Sequence, residues 1–160
     1  MAVDMFLKIK GDPFAGEAAD KKHKGEIDVL SFSWGESNAG SSGYGGGAGA
    51  GKVNMQDFAF MMKTNKASPN LALACATGEH IPEATLTVRK AGKEQQEFFI
   101  VKFTDILISS YQVSGSSELP TDSISFNYAK IEISYAPQKA DGTLDAAVKM
   151  TYNIQENAAA

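Results

Sequence analysis

Cysteine, tryptophan and histidine are almost missing from this chain of 160 residues, with one, one and two copies. The lone cysteine, Cys75, cannot close a disulfide within the chain, and a cysteine-rich metal framework is excluded. His23 and His80 lie far apart in sequence, which is not a metal-ligand spacing, and each reads as a surface or turn residue. No apolar run approaches the ~20 residues needed to cross a bilayer. The opening MAVDMFLKIK is interrupted by Asp4 and Lys8 and lacks a small-residue cleavage site, so no export signal is read there. The expectation is synthesis and folding in the cytoplasm, with any exit by a route that ignores the N-terminus. Basic charge is also short. Fifteen Lys and Arg against nineteen Asp and Glu leave a net charge of −4, which argues against a nucleic-acid partner. A hydrophobic share of 43% is that of a globular protein, and the length suits one domain over residues 1–160.

Most of the chain alternates with period two. Val3, Met5, Leu7 and Ile9 share one face, and Asp4, Lys8 and Lys10 take the other. From Glu26 to Gly35 the apolar parity changes, Ile27 and Val29 giving way to Leu30, Phe32 and Trp34. This predicts a bulge or a strand that changes partner midway. Val53 to Met62 behaves alike. Ala84, Leu86 and Val88 form a further strand that ends in the turn Lys90-Ala91-Gly92-Lys93. Gln96 to Val113 is long and predicted to bend near Thr104-Asp105. Ile124, Phe126 and Tyr128 shift parity to Ile131, Ile133 and Tyr135 around Ala129-Lys130, and Val148 to Ile154 is the last strand. Seven bent strands predict a mainly β fold, either a barrel or a tightly packed sandwich whose strands turn corners between sheets.

One segment breaks the period. Ser68 to Thr77 carries serine and proline at its start, good helix formers within, and Gly78 at its end, which predicts one short α-helix capped by Ser68. Cys75 falls inside it and reads as a small buried hydrophobe.

Seven of the fifteen glycines lie between Gly40 and Gly51, inside a Gly-rich loop of about residues 37–52 that carries no charge from Ser37 to Gly51. Gly46 to Lys52 meets the spacing of a phosphate-binding loop, G-x-x-x-x-G-K. Val53 then stands where a Mg²⁺-binding hydroxyl is required, and a strand pattern follows where a helix should begin. A nucleotide hydrolase is therefore the remote reading. A long inter-strand connection is the better one. Ordering residues 40–51 costs roughly 12–24 kcal/mol of backbone entropy, and glycine and alanine return little apolar contact. Such a loop is either mobile in the lone subunit or docked on a neighbour. No nucleophile elbow, carboxylate pair or zinc-protease helix is present.

The sequence resembles a known family along nearly its whole length. The residues that carry the likeness are MAVDMFLKIKG, Asp20-Lys21-Lys22-His23, Glu26-Ile27-Asp28-Val29-Leu30 and Ser33-Trp34-Gly35. They continue with Gly51-Lys52-Val53-Asn54, Ser68-Pro69-Asn70-Leu71, Thr87-Val88-Arg89-Lys90-Ala91-Gly92 and the run from Tyr135 to Gly142. In these it is similar to the haemolysin-coregulated protein family, Hcp. The resemblance implies a β-barrel-like sandwich of two antiparallel sheets with a flanking helix, in a non-enzymatic inner-tube subunit of the bacterial type VI secretion system without a cofactor. It implies a homohexameric ring and rings stacked into a hollow tube. The implied partners are a spike protein at the tip, a contractile sheath and baseplate, and small effectors in the lumen. The protein would be expelled without a cleaved signal peptide and without membrane insertion. A tail-tube protein of a phage-like or extracellular injection system would have the same chemistry. Gly40, Ser41, Ser42, Gly43, Tyr44, Gly45, Gly46, Gly47 and Lys52 are the expected contacts to a neighbouring ring or partner. Lys90, Ala91, Gly92 and Lys93 are assigned to a turn on the opposite face.

Overall fold

In the computed structural model, residues 2–38, 52–90 and 95–159 are described. The first long strands are β1 (Val3–Ile9), β7 (His80–Lys90), β8 (Glu97–Ser114) and β9 (Thr121–Tyr135). Shorter ones are β2 (Ile27–Asp28), β3 (Ser31–Ser33), β4 (Glu36–Asn38), β5 (Val53–Met55), β6 (Phe58–Lys63), β10 (Val148–Asn153) and β11 (Ala158–Ala159). They make two antiparallel sheets. The large one runs β11-β10-β9-β8-β7-β1-β2, with β6 also on β9 and β3 on β6; the small one is the pair β4-β5. The barrel does not close.

Each predicted parity change marks a change of partner. Ile27-Asp28 pairs with β1, and three residues later Ser31–Ser33 pairs with β6. Val53–Met55 pairs with β4, whereas Phe58–Lys63 lies between β3 and β9. The predicted seven strands become eleven mainly because these switches interrupt the ladders. β9 divides its free edge: Thr121–Phe126 holds β6, and Lys130–Tyr135 holds β10.

The bend near Thr104-Asp105 belongs to three strands together. Ile81, Ile106 and Tyr128 are paired in one row and buried; Ala84, Phe103 and Ile131 do the same in another. Between those rows stand two residues per strand that point away from the core, Pro82-Glu83, Thr104-Asp105 and Ala129-Lys130. Asp105 takes a φ of 55°, which turns the strand, and Pro82 offers no N–H to be lost there. Since all three strands flip at one level, pairing continues without a register shift.

The core joins Leu7 and Ile9 of β1 to Leu86 and Val88 of β7 and to an aromatic group on β6, β8 and β9. Phe103 sits 4.8 Å from Phe58, 5.0 Å from Phe126 and 5.0 Å from Tyr128, centroid to centroid. The helix α1 (Ser68–Thr77) packs on β8 beyond the end of β7, so it covers an edge that would otherwise be open. Leu71 and Ala74 are its buried residues, with Ser68.

Two expectations about the helix are corrected. Ser68 is its first residue and not its cap: Asn65 Oδ1 accepts from the Ala67 N–H at 2.9 Å instead. The Ser68 hydroxyl donates to the buried Asp122 carboxylate at 2.5 Å, where Thr64 Oγ1 donates at 2.8 Å. Cys75 is partly buried, because it stands one residue past the inward-facing Ala74. Gly78 ends the helix at φ 69°, its N–H bonded to the Ala74 carbonyl.

Candidate functional site

The expected contact residues Gly40 to Gly47 lie outside the described residues, as do Ala91, Gly92 and Lys93. Their flanks are described. β4 and β5 form a two-stranded ribbon, with Glu36 opposite Met55, Ser37 opposite Asn54 and Asn38 opposite Val53. Residues 39–51 therefore connect the two strands of a hairpin. Lys52 stands exposed at its return, and Val53 begins a strand, not the helix that a phosphate-binding loop would need. Lys90 closes β7. Its Nζ lies 5.5 Å from the Phe98 ring centroid and donates to Gln138 Oε1.

The hairpin leaves the large sheet where β9 passes its edge from β6 to β10. A polar pivot fixes that point. The Trp34 indole N–H donates to the Tyr128 hydroxyl, and that hydroxyl donates to the Gln56 carbonyl at 2.9 Å. Desolvation pushes the Tyr128 hydroxyl up to about 12, against the opposing hydrogen bond from Trp34. The tyrosine thus stays a neutral donor and ties β3, β9 and the start of β6 together. The Gln56 N–H returns to the Gly35 carbonyl at 3.0 Å, completing the tie on the β4 side.

A second polar cluster was not anticipated. The run Asp20 to Glu26, mixed in charge, folds back over the outer face of β1, β7 and β8. Asp4, Arg89 and Glu97 share one row across those strands. Arg89 is 1% exposed; its guanidinium donates to Asp20, and to Asp4 Oδ2 at 3.3 Å, and its Cζ lies 4.9 Å from the Phe6 ring centroid. His23 is a buried residue, contrary to the surface reading. Its ring stacks on Phe6 at 4.4 Å and 7°. Nδ1 lies 2.7 Å from Glu26 Oε2, and Nε2 lies 2.8 Å from Glu97 Oε1. His80 fits the surface reading, pairing with Asp105 at 3.2 Å in the open.

The charges shift as the contacts require. The Arg89 hydrogen bond holds the Asp20 carboxyl at about 2. Asp28 moves upward, first through burial and then through the nearby charges of Asp4 and Asp20. The sequence did carry one signal for this cluster. Phe6 is apolar on the polar parity of β1, and a large apolar residue on that face needs a cover.

Among the described residues, no group of three metal-ligating side chains converges, and no helix is long and apolar enough to cross a membrane. What the described residues offer is a scaffold: a large antiparallel sheet, a separate two-stranded ribbon and a strap sealed by ion pairs.

That architecture is the type VI secretion tube fold. The structure superposes on a solved type six secretion system protein with a TM-score of 0.90 at 30% identity, over 99% of this chain and 100% of that one. Hcp1 of Salmonella typhimurium matches with a TM-score of 0.79 at 31% identity, over 100% of both chains. The family described as type VI secretion system effector, Hcp, matches residues 6–135. Protein hcp1 of Pseudomonas aeruginosa is 49% identical over 161 aligned positions, 98% of each chain. The chain belongs to the Hcp family, a family of secreted tube proteins and not of enzymes.

Proposed function

We propose that this chain is the subunit of a type VI secretion tube that forms homohexameric rings. The rings stack end to end, carry a spike at the tip, and are driven out by the sheath with small effectors in the lumen. The observation that carries the reading is the 49% identity to Protein hcp1 across 98% of both chains, which leaves no room for a different architecture of the subunit. The open edges support it. Among the described residues β2, β3 and β11 each pair on one side only within the large sheet, and such edge strands suit pairing with a neighbouring copy, as a closed heterologous ring requires. In this reading, residues 40–47 with Lys52 reach the next ring or a partner, and the Lys90 to Lys93 turn serves the opposite face. The uncharged, side-chain-poor composition of residues 40–51 favours backbone contacts with another subunit over capture of a charged ligand. In this reading the contractile machine expels the assembled tube.

Negative-stain images of the purified protein are the direct test. Rings with a central hole are expected, together with a scattering mass several times 17.0 kDa. A monomer at every concentration overturns the proposal. Shortening residues 40–51 to a tight turn should leave single rings intact and weaken stacking and secretion. Normal stacking and secretion of that variant would remove the contact role from the segment.

A further inference from the structure

We propose that the end of β1 and the strap from Glu17 to Glu26 form a lysine-lined trough that binds an extended acidic segment of another protein. The strap brings the charges together. His23 is buried against Phe6, and its neighbours Lys22 and Lys24 are left exposed beside the outer face of β1. Lys8 and Lys10 stand on that face, on the parity of Phe6, while Leu7 and Ile9 enter the core. Two shallow depressions meet there, both bordered by Lys8 and Glu26. The first, of about 350 Å³, also has Lys10, Glu83 and Thr85 along it; the second, of about 270 Å³, has Lys22, Lys24 and Asp12. The trough is complete within one subunit.

The carboxylates nearby are mostly engaged elsewhere. Glu26 turns to His23 at 2.7 Å and Glu83 to Lys102 at 3.6 Å, and Asp12 is the remaining one. Among the described residues, Lys8, Lys10, Lys22 and Lys24 enter no ion pair. Four like charges around one concavity repel one another, although the chain as a whole carries −4. An anion laid between them relieves that repulsion. The spacing selects the anion. Lys8 and Lys10, two residues apart on a strand, repeat at about 7 Å, the interval of alternate side chains in an extended acidic segment. A nucleic acid fits less well. Arg89 is the one arginine of the chain and is buried, so no guanidinium fork faces outward. The aromatic rings along the trough, Phe14 and His23, are buried too and give a base nothing to stack on.

Fluorescence anisotropy with the full-length protein and a labelled peptide of alternating Glu and Ser tests the proposal. Saturable binding is expected at low salt and should be lost at about 0.5 M, where the screening length falls to about 4 Å. Lys8→Gln combined with Lys22→Gln should weaken binding about fivefold. Lys139→Gln combined with Lys149→Gln, on exposed lysines away from the trough, should change it less than about twofold. No saturable binding, equal loss in the two variants, or tighter binding of an oligothymidylate than of the peptide overturns the proposal. Acetylation of the unaltered protein, read by mass spectrometry, is the second arm and does not depend on any variant's folding. The peptide should slow labelling of Lys8, Lys10, Lys22 and Lys24 severalfold and leave Lys139 and Lys149 unchanged. Uniform protection, or none, rejects the site.

Discussion

Arg89 and Phe6 sit on neighbouring strands with the guanidinium carbon 4.9 Å from the ring centroid, both buried beneath a polar strap. The pairing explains how a sheet seals its outer face with an ion cluster. The aromatic ring shields the arginine, and Asp4 and Asp20 neutralise it at the rim, where they still reach water. Arg89→Ala removes the stem that fills this layer and leaves two carboxylates without a partner. It should cost about 2–4 kcal/mol of stability in urea unfolding. Arg89→Lys should recover only part of that, because an ammonium cannot make the planar fork that reaches both aspartates.

Acid should release the same lock from the other side. The folded Asp20 carboxyl titrates at about 2, below the ordinary value of 3.8, so the unfolded chain binds the proton first. Its contribution is complete above about pH 4 and disappears as the pH falls toward 2. Melting temperatures from pH 5 to pH 2 should drop less steeply in Asp20→Asn than in the unaltered protein. Equal slopes would show that the Arg89 pair does not govern this range.

Tyr128 gives the alkaline counterpart. Its folded hydroxyl ionises at about 12, against an ordinary 10.0, so the unfolded chain loses the proton first. Stability should therefore decline as the pH rises from 10 to 12, by about 2 kcal/mol after allowance for partial solvation. In Tyr128→Phe this decline should become shallower, leaving the part that comes from Tyr111, whose hydroxyl is also pushed up by burial. That variant should also lose about 1–3 kcal/mol at neutral pH, because the Trp34 N–H and Gln56 carbonyl lose their shared partner. Equilibrium unfolding at several pH values measures both effects.

Gly16 marks the closest approach of the strap to itself. A Cβ there would stand 2.5 Å from the Glu26 carbonyl oxygen and 2.9 Å from the Ile27 Cα, both backbone atoms. Gly16→Ala should cost about 1–3 kcal/mol in urea unfolding and raise exchange at the Ala18 and Gly25 amides, while the β8-β9 ladder stays protected. A neutral substitution would mean that the strap relaxes at no cost.

The local rules carried the sequence reading far where one chain segment decides its own structure. The helix from Ser68 to Thr77, the strand at Val53, and the bend at Thr104-Asp105 were all legible from parity, proline, glycine and helix formers. The Hcp family was legible from residue blocks along the chain. What escaped was tertiary. Ser68 has the composition of a cap, but Asp122, 54 residues away, takes its hydroxyl. The mixed run Asp20 to Glu26 looks solvated until the strand pairing sets Arg89 and Glu97 beside it. Residues 40–47 and 91–93 lie outside the described structure, so their assignment rests on resemblance and composition.

The three-strand bend at Pro82, Asp105 and Ala129 has a consequence for how this chain can change length. Side chains on β7, β8 and β9 stay in phase only because every strand spends the same two residues turning the corner. One residue inserted at the bend of a single strand would put its apolar side chains in step with its neighbours' polar ones as far as the next bulge. Length can change instead in the connections, such as residues 39–51 and 115–119, or at the irregularities after Val88 and Ile108, where the register already shifts by one. The bend acts as a reading frame for the sheet, tolerant of substitution and intolerant of a shift by one.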